Sequence, residues 1–482
     1  MHVIVGARLP VDPRAFEAAV GRIQSLRHPL ALVLPHPAPA PDLPDLPNVE
    51  WVRTGYSEPW FPILPDGEIL RQIEREATAL TDLGLEPGPL WITGPWTARL
   101  PGPLKAAGVT ALLMAADRLD RPIPGVLAHL DAVLPVIPVV TELDSRPVDA
   151  AVVWMVDLDG LEEALARVAE SPGCDLTTVD AYLTDHRPDG RRRPVLDDAE
   201  AELSTDPDRF VLHRKFVRLV TRIPERLSAA AETAVLDAER RFDSRDLTAA
   251  HKSIVAARAA IDSERRRGDD WWRISRLDWD ADGSEEIHIE LPLVSMLVAP
   301  HRSAAVTTLD LKDPVWPVSS VSGEPGWVLA RFIGEGDEPT PISMAEIRAT
   351  EARGGRIEVE LGAPIGSGTL GLEVTVQGRK IVARYVLSGA PSGQLGPELK
   401  LAMDADARVR IDGSEWTAVT EPIALSGHKI RVADASSQVV ITSLTPMTVF
   451  LRPGLDGKGL VVWPHWVVAG STTHELTIDL NG

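Results

Sequence analysis

A regular alternation of short apolar strands and amphipathic helices in residues 50–120 constrains the fold of this chain more than any other feature. The predicted strands cover residues 49–52, 90–93 and 111–114. Between them lie a helix that starts at Pro65-Asp66, with apolar residues at helical spacing, and a shorter helix over residues 101–107. Strands separated by helices form parallel sheets, and ligands bind at the carboxyl ends of such strands. We therefore expect functional residues within residues 55–59, 94–99 and 115–117.

The composition bounds the class of protein. The chain has 482 residues, of which 44% are hydrophobic and 25% charged, which suits two or three domains with full cores. A net charge of −21 disfavours binding to nucleic acid or to an anionic membrane. No apolar run is long enough to span a bilayer, and the first strand lacks the cationic start of a signal peptide. The single cysteine, Cys174, excludes an internal disulfide, so we expect a cytoplasmic protein.

The pattern changes twice along the chain. Residues 3–5, 30–34, 134–138 and 151–156 are further predicted strands of the parallel sheet. Residues 210–217, 225–242 and 246–267 have the spacing of three amphipathic helices. From Trp271 onward, short alternating strands separated by turns predict an antiparallel sandwich. We predict three domains, with boundaries at residues 1–205, 206–268 and 269–482.

Several motifs resemble those of glycoside hydrolase family 57, the α-amylase and 4-α-glucanotransferase family. Gly55-Tyr-Ser-Glu-Pro59 resembles the family's Gly-x-x-Glu-Pro at a strand end. Ile63-Leu-Pro-Asp66, followed by Gln72-Ile-Glu74, resembles the family's Pro-x-x-Asp helix start with its Gln-Ile-Glu. Leu104-Lys-Ala-Ala-Gly-Val109 resembles the family's Leu-x-x-Ala-Gly-Ile/Val segment. Weaker likenesses occur in residues 176–183, 212–215 and 278–300. The resemblance implies an abbreviated parallel (β/α)7-type barrel, a helical segment and a carboxy-terminal antiparallel β-sandwich, acting on α-glucan or maltooligosaccharide.

The sequence departs from this family at four places that matter for catalysis. Gly94-Pro95 stands where the family places its nucleophilic glutamate. Gly6-Ala-Arg-Leu-Pro10 replaces a motif that supplies histidines to the sugar site. The Glu-Lys-Phe-Gly part of the family's acid/base loop is absent after Asp157 and Asp159, and only residues 241–246 remain of a loop between two helices. We therefore expect the family's covalent mechanism to be lost.

The weak catalytic candidates are carboxylates at strand ends. A retaining glycosidase needs two carboxyl groups about 5 to 5.5 Å apart, one ionised and one protonated. Glu58, Asp157 and Asp159 are the candidates, and Asp117 is a further strand-end carboxylate. Asp157 and Asp159 precede a helix, so both also suit helix capping.

Glu58 and Trp96 are the candidate substrate-binding residues. Glu58 matches the family's sugar-site glutamate, but it also suits a helix cap or an arginine partner. Trp96 is either a sugar platform or a loop-packing residue, whereas Trp91 and Trp154 lie within strands and are expected to pack in the core.

We expect no cofactor and no metal. Asp278, Asp280 and Asp282 begin like a calcium loop, but Ile289 occupies the twelfth position and the segment lies between strands, which favours a solvated turn.

Three functions remain open. The first is a catalytically degenerate relative of the family that binds α-glucan or regulates its metabolism. The second is an active retaining α-glucan hydrolase or 4-α-glucanotransferase with relocated carboxylates. The third is an interaction protein that does not bind sugar.

Overall fold

A computed structural model describes most of the chain. The described residues are 1–35, 46–55, 61, 64–94, 96–143, 151–188, 190–195, 207–221, 228–242, 247–265, 271–279, 283–319, 327–334, 339–340, 342–352, 355–404, 406–454 and 459–481. Residue contacts divide the chain into two compact units, Met1–Thr205 and Asp206–Gly482. The predicted division of the second unit at residues 268 and 269 stays a prediction.

The strands of the first unit follow the predicted alternation. They are β1 (His2–Arg8), β2 (Leu30–Val33), β3 (Val49–Arg53), β4 (Pro87–Ile92), β5 (Leu112–Ala115), β6 (Gly125–His129), β7 (Ala132–Val140), β8 (Ala151–Val156) and β9 (Asp175–Leu176). In the described part of this unit, seven of them pair in parallel in the order β1, β2, β3, β4, β5, β7, β8 and back to β1. The predicted (β/α)7-type barrel is therefore confirmed.

Some helices of this unit connect consecutive barrel strands, and two others follow β8 and β9. They are α1 (Pro13–Ser25), α2 (Asp66–Asp82), α3 (Pro101–Ala106), α4 (Leu161–Glu170) and α5 (Val179–Asp185). The sequence did not predict β6, which pairs antiparallel with β7 and replaces a helix between β5 and β7.

Alternate residues of the barrel strands face two different cores. Ile4 of β1 and Val153 of β8 lie in the barrel interior, whereas Val3 and Val5 pack outward with buried residues of α1 and α4. α1 buries Phe16, Ala19, Val20 and Ile23, which share one helical face. The side-chain period of two along the strands thus determines which residues face the barrel interior, and the period of 3.6 along α1 determines which of its residues pack on the outside.

α5 packs into the barrel interior beside the start of β3. Val179 and Tyr182 belong to the interior cluster. The carboxylate of Glu50 accepts hydrogen bonds from the backbone N–H groups of Val179 (2.7 Å) and Asp180 (3.0 Å). Burial raises the pKa of Glu50 to about 7, against these hydrogen bonds and with the help of the nearby Asp180 charge.

In the part of the second unit that the structure describes, the first elements are three helices, α6 (Pro207–Val220), α7 (Ala229–Phe242) and α8 (Leu247–Arg265). Its strands are β10 (Arg273–Leu277), β11 (Glu286–Glu290), β12 (Val294–Ala299), β13 (Ala305–Lys312), β14 (Val315–Pro317), β15 (Trp327–Gly334), β16 (Pro339–Thr340), β17 (Ala345–Ala352), β18 (Arg356–Ile365), β19 (Gly368–Gln377), β20 (Lys380–Leu401), β21 (Arg408–Ile411), β22 (Thr417–Ala418), β23 (Ile423–Ala433), β24 (Gln438–Pro453) and β25 (Leu460–Asn481).

The pairings between these strands are antiparallel, and the strands enclose one large apolar cluster, as predicted for the carboxy-terminal sandwich. Across the described residues, no helix is both long enough and apolar enough to cross a membrane.

Candidate functional site

The mouth of the barrel is formed by the carboxyl ends of its strands. On β1, Gly6 and Arg8 follow Ile4 at alternate positions and therefore share its interior side. Trp91 of β4 and Met155 of β8 pack against the same interior cluster. These positions bring side chains from three strands to one end of the barrel.

An arginine lies over a tryptophan at this end. The guanidinium carbon of Arg8 is 5.6 Å from the centroid of the Trp91 ring, which is within the range of a cation–π contact. Arg8 is exposed, and Trp91 is half-buried. A guanidinium keeps its proton at every physiological pH, so Arg8 is a hydrogen-bond donor and not a general base or nucleophile.

Gly6 makes room for Met155 beside this pair. A Cβ atom at Gly6 would lie 2.5 Å from the Sδ atom of Met155 and 3.0 Å from the carbonyl oxygen of Ala31. The thioether has no acid or base function. The sequence showed that Gly6-Ala-Arg-Leu-Pro10 replaces the family's histidines, but it did not assign a role to Arg8.

The backbone directly after β3 is anchored by a buried carboxylate that was not predicted from the sequence. Glu76 of α2 is fully buried and accepts hydrogen bonds from the backbone N–H groups of Thr54 (2.8 Å) and Gly55 (2.9 Å). Gly55 has a φ of 88°, which glycine adopts without strain. The position of Glu76 on the buried face of α2, four residues after Gln72, is the sequence signal that could have identified it. Glu58, which follows in the same motif, lies outside the described residues.

The segment after β4 packs onto the start of α2. Arg99 donates a hydrogen bond to the carbonyl oxygen of Leu64 (2.6 Å) and forms an ion pair with Asp66. Only 1% of Trp96 is exposed. Because a sugar platform must present a ring face, this burial favours the loop-packing alternative for Trp96. Gly94 lies at the strand end, and Pro95 is outside the described residues.

The two aspartates after β8 make different contacts. Asp157 is exposed at the N-cap position of a 3₁₀ turn, and its side chain makes no capping hydrogen bond. Asp159 is fully exposed, and its carboxylate lies 3.6 Å from the guanidinium of Arg22 on the outer helix α1. Asp159 thus contacts the outer helical layer, whereas Asp157 stays available at the strand end.

The remaining carboxylate candidates do not form a cluster in the described residues. Asp117 is exposed in a 3₁₀ turn after β5. Asp278 accepts a hydrogen bond from the N–H group of Gly283 (3.1 Å) in the turn between β10 and β11, and Asp280 and Asp282 lie outside the described residues. Where the structure describes the chain, no group of three or more His, Cys, Asp or Glu residues is arranged to hold a metal ion.

Comparisons with known proteins bear on this arrangement. The sequence matches no protein-family model and no curated protein. A search of solved structures finds the 4-α-glucanotransferase from Thermococcus litoralis, with a TM-score of 0.75 and 13% sequence identity over 100% of this chain and 99% of that chain.

The chain has the fold of this 4-α-glucanotransferase. The resemblance that the motifs indicated is therefore confirmed for the fold over the whole chain. A galactose mutarotase-like protein from Clostridium acetobutylicum also aligns, with a TM-score of 0.35 and 12% identity over 44% of this chain and 98% of that chain.

Proposed function

We propose that this protein is a catalytically degenerate relative of the glycoside hydrolase family 57 enzymes and that its barrel binds α-glucan. The observation that carries this proposal is the composition of the barrel mouth. Arg8 over Trp91, with Met155 beside them, occupies interior positions at the carboxyl ends of three strands. None of these three side chains can serve as a nucleophile or as a general acid at neutral pH.

The second support is the end of β4. Retaining hydrolysis needs a nucleophilic carboxylate about 5 to 5.5 Å from an acid/base carboxylate. Gly94 supplies no side chain at the position where the resemblance implies the nucleophile. The ion contact between Asp159 and Arg22 also holds one of the two acid/base candidates against an outer helix. Asp157 is then the acid/base candidate that remains at the strand end, and hydrolysis would need it to work with a carboxylate from another strand end, such as Glu58.

A sugar-binding role agrees with the groups that are present. An indole ring packs against the apolar face of a pyranose, and an arginine donates hydrogen bonds to its hydroxyl groups. Arg8 lies over the Trp91 ring, so only the uncovered part of this half-buried indole, together with the guanidinium, can offer these two kinds of contact at one end of the barrel. Glu58 is expected to accept hydrogen bonds from sugar hydroxyls. We also propose a cytoplasmic location, based on the single cysteine and the strongly acidic composition.

Calorimetric titration with maltoheptaose, combined with product analysis by chromatography, tests this proposal. We expect saturable binding without formation of shorter or longer glucans. Arg8→Met should weaken binding by about ten- to a hundredfold, since hydrogen bonds to a charged donor contribute roughly 1.5 to 3 kcal/mol. Arg22→Met, which changes an arginine on the outer face of α1, is the matched control and should bind as the wild type does.

The outcomes separate the three functions. Turnover by the wild type that disappears in Glu58→Gln would establish the active enzyme with relocated carboxylates. If neither binding nor turnover occurs with the folded wild type, the interaction protein without sugar binding is the better description. Binding that is unaffected by Arg8→Met would contradict the role that we assign to the barrel mouth.

A further inference from the structure

One face of the sheet in the second unit is polar and buried. On strands β11, β12 and β13, alternate positions carry Glu286, His288, Glu290, Ser295, Asp310 and Lys312, each at most 7% exposed. The residues between them, such as Ile287, Ile289 and Leu311, belong to the sandwich core. A buried polar face is costly unless its groups are paired. Helices α6 and α8 supply many of the partners.

Helix α8 pairs with one side of this face. Arg258 donates to Asp262 on the same helix (3.0 Å) and to Glu290 of β11 (2.6 Å). Lys312 of β13 donates to the same oxygen of Asp262 (2.8 Å) and to the carbonyl oxygen of Leu291 (2.9 Å). Two cations therefore share two carboxylates here.

Asp310 of β13 bridges two basic groups on the other side. Lys215 of α6 is 2.5 Å from one of its carboxylate oxygens, and the Nε2 atom of His251 on α8 is 2.7 Å from the other. The positive charge of Lys215 is therefore compensated within this face.

Arg218 and Glu286 also contact other groups of the protein. Arg218, one turn after Lys215, donates to the hydroxyl of Ser275 (3.0 Å) and lies 4.9 Å from the centroid of the Trp279 ring. Glu286 accepts a hydrogen bond from the backbone N–H group of Trp279 (2.6 Å). Because the cations and the carboxylates of this face have partners within the protein, they do not select a charged ligand of either sign.

These groups surround a cavity of about 40 Å³. Its polar lining is formed by Lys215, Arg218, Arg258, His288, Glu290, Ser295, Asp310 and Lys312. Its apolar lining is formed by Leu219, Ile254, Val255 and Trp279. The volume suits about three water molecules, or one molecule of about four non-hydrogen atoms.

Two buried side chains of the cavity wall carry a polar atom that has no partner in the described part of the chain. They are the Nε1 atom of Trp279, which is 2% exposed, and the Nδ1 atom of His288, which is 5% exposed. The two rings are in edge contact, with centroids 5.0 Å apart, so one small molecule can reach both. A buried polar atom of this kind destabilises the folded chain unless a bound molecule pairs with it.

The chemistry of these two atoms favours a hydroxyl group. The indole N–H of Trp279 only donates, so it needs an acceptor oxygen. Burial lowers the pKa of His288 to about 3, so its ring is neutral at pH 7. The Nε2 atom of His288 lies 3.1 Å from the hydroxyl of Ser295, which can donate or accept, so Nδ1 takes the complementary role. A hydroxyl group serves both ring atoms, whereas a carboxylate only accepts and an ammonium only donates.

We propose that this cavity binds a small neutral diol or polyol of two or three carbon atoms. One hydroxyl oxygen would accept the Nε1–H of Trp279, a hydroxyl would pair with Nδ1 of His288, and the carbon atoms would contact Ile254 and Val255. A ligand of about four non-hydrogen atoms gains limited binding free energy, so the dissociation constant is expected in the millimolar range. This inference concerns the second unit and does not depend on α-glucan binding by the barrel.

NMR of the full-length protein, labelled with nitrogen-15 in its tryptophans and titrated with ethane-1,2-diol, tests the proposal. The indole resonance of Trp279 is identified as the one that disappears in Trp279→Phe. We expect this resonance to shift saturably with the diol. The resonance of Trp416, which is 39% exposed and does not line the cavity, should change only in proportion to the diol concentration.

Two cavity variants and a matched control are compared by saturation-transfer NMR observed on the diol. Trp279→Phe keeps an aromatic ring but removes the N–H donor, and Val255→Phe reduces the cavity volume and leaves all polar groups in place. Each should lower the affinity for ethane-1,2-diol at least about threefold while the circular dichroism spectrum stays that of the wild type. Trp416→Phe makes the same change outside the cavity and should leave the affinity unchanged.

Acetate tests the class of ligand, because it has as many non-hydrogen atoms as ethane-1,2-diol but carries a charge. At constant ionic strength, we expect acetate not to displace the diol. The proposal is overturned if the Trp279 resonance does not shift saturably, as expected for a cavity that takes up only water, or if either folded cavity variant retains the wild-type affinity. Displacement of the diol by an equal or lower concentration of acetate would also overturn it. Should Trp279→Phe fail to fold, Val255→Phe and the acetate competition decide.

Discussion

Replacing Asp310 with asparagine removes the carboxylate that Lys215 and His251 share. All three side chains are at least nine-tenths buried, with 7%, 9% and 0% of Asp310, Lys215 and His251 exposed. The two basic neighbours lower the pKa of Asp310 although burial opposes this. Breaking a buried ion pair by removing one partner typically costs about 3 to 5 kcal/mol, because a charge is left buried without compensation.

The response of Lys215 sets an upper limit on this cost. Burial already lowers the pKa of Lys215, and without Asp310 the amine can escape its penalty by losing its proton. Deprotonating a lysine with an ordinary pKa of 10.5 at pH 7 costs about 5 kcal/mol, at about 1.4 kcal/mol per pH unit. We therefore expect Asp310→Asn to lower the free energy of unfolding by about 3 to 5 kcal/mol at pH 7.

The sign of the pH dependence follows from the same reasoning. In the variant, the unfolded chain binds a proton at Lys215 that the folded chain does not bind. Its stability should therefore rise with pH, by about 1.4 kcal/mol per unit between pH 7 and 9 relative to the wild type. In the wild type, the stabilisation from the lowered pKa of Asp310 is present above pH 3.8 and is lost as the pH falls through the folded-state pKa.

Hydrogen exchange with mass spectrometry provides the assay, because it reports the opening free energy of β13 separately from the barrel. Glu373→Gln, which removes one member of the exposed pair with Arg384, is the control and should cost less than about 1 kcal/mol. A loss below about 1 kcal/mol in Asp310→Asn, or a destabilisation that is the same at pH 7 and pH 9, would refute the reasoning.

Three further predictions concern the barrel. Because the pKa of Glu50 is raised from 4.5 to about 7, the stability that the protonated side chain contributes is fully present below pH 4.5 and falls by roughly 3 kcal/mol as the pH rises to 7. Thermal unfolding of Glu50→Gln should lack this pH dependence, and an unchanged profile would contradict the raised pKa. Gly6→Ala should cost about 1 to 3 kcal/mol in urea unfolding because its Cβ meets Met155, and the added substitution Met155→Ala should recover part of the loss. Glu76→Ala should cost about 1 to 3 kcal/mol for each buried N–H group left without an acceptor, and it should increase hydrogen exchange at Gly55; unchanged exchange there would exclude the anchoring role.

The sequence predicted those parts of the fold that depend on local periodicity. Residues 151–156 were predicted as a strand and form β8 with the same bounds. The helix that begins after Pro65 was recognised from its acidic first turn and its apolar spacing, both of which are local properties. The four departures from the family motifs were equally visible, because a missing side chain at Gly94 or a missing histidine near Arg8 needs no coordinates.

Other features depend on which residues meet across the chain. The hairpin of β6 with β7 was not predicted, since a short strand and a turn have no periodicity long enough to identify them. The contact of Arg8 with Trp91 joins residues that are far apart in the sequence and becomes visible only when the barrel closes. Similarly, nothing local showed that Glu76 accepts the N–H groups of Thr54 and Gly55.

The polar face of the sandwich shows most clearly which features the sequence predicts and which only the tertiary structure decides. The alternation of Glu286, His288 and Glu290 with isoleucines predicted a strand, but by itself it favours a solvated outer face. The tertiary structure covers this face with helices whose Lys215 and Arg258 match its carboxylates. Hydrophobic periodicity fixes where strands and helices form, whereas the burial and pairing of charges are decided by partners distant in the sequence.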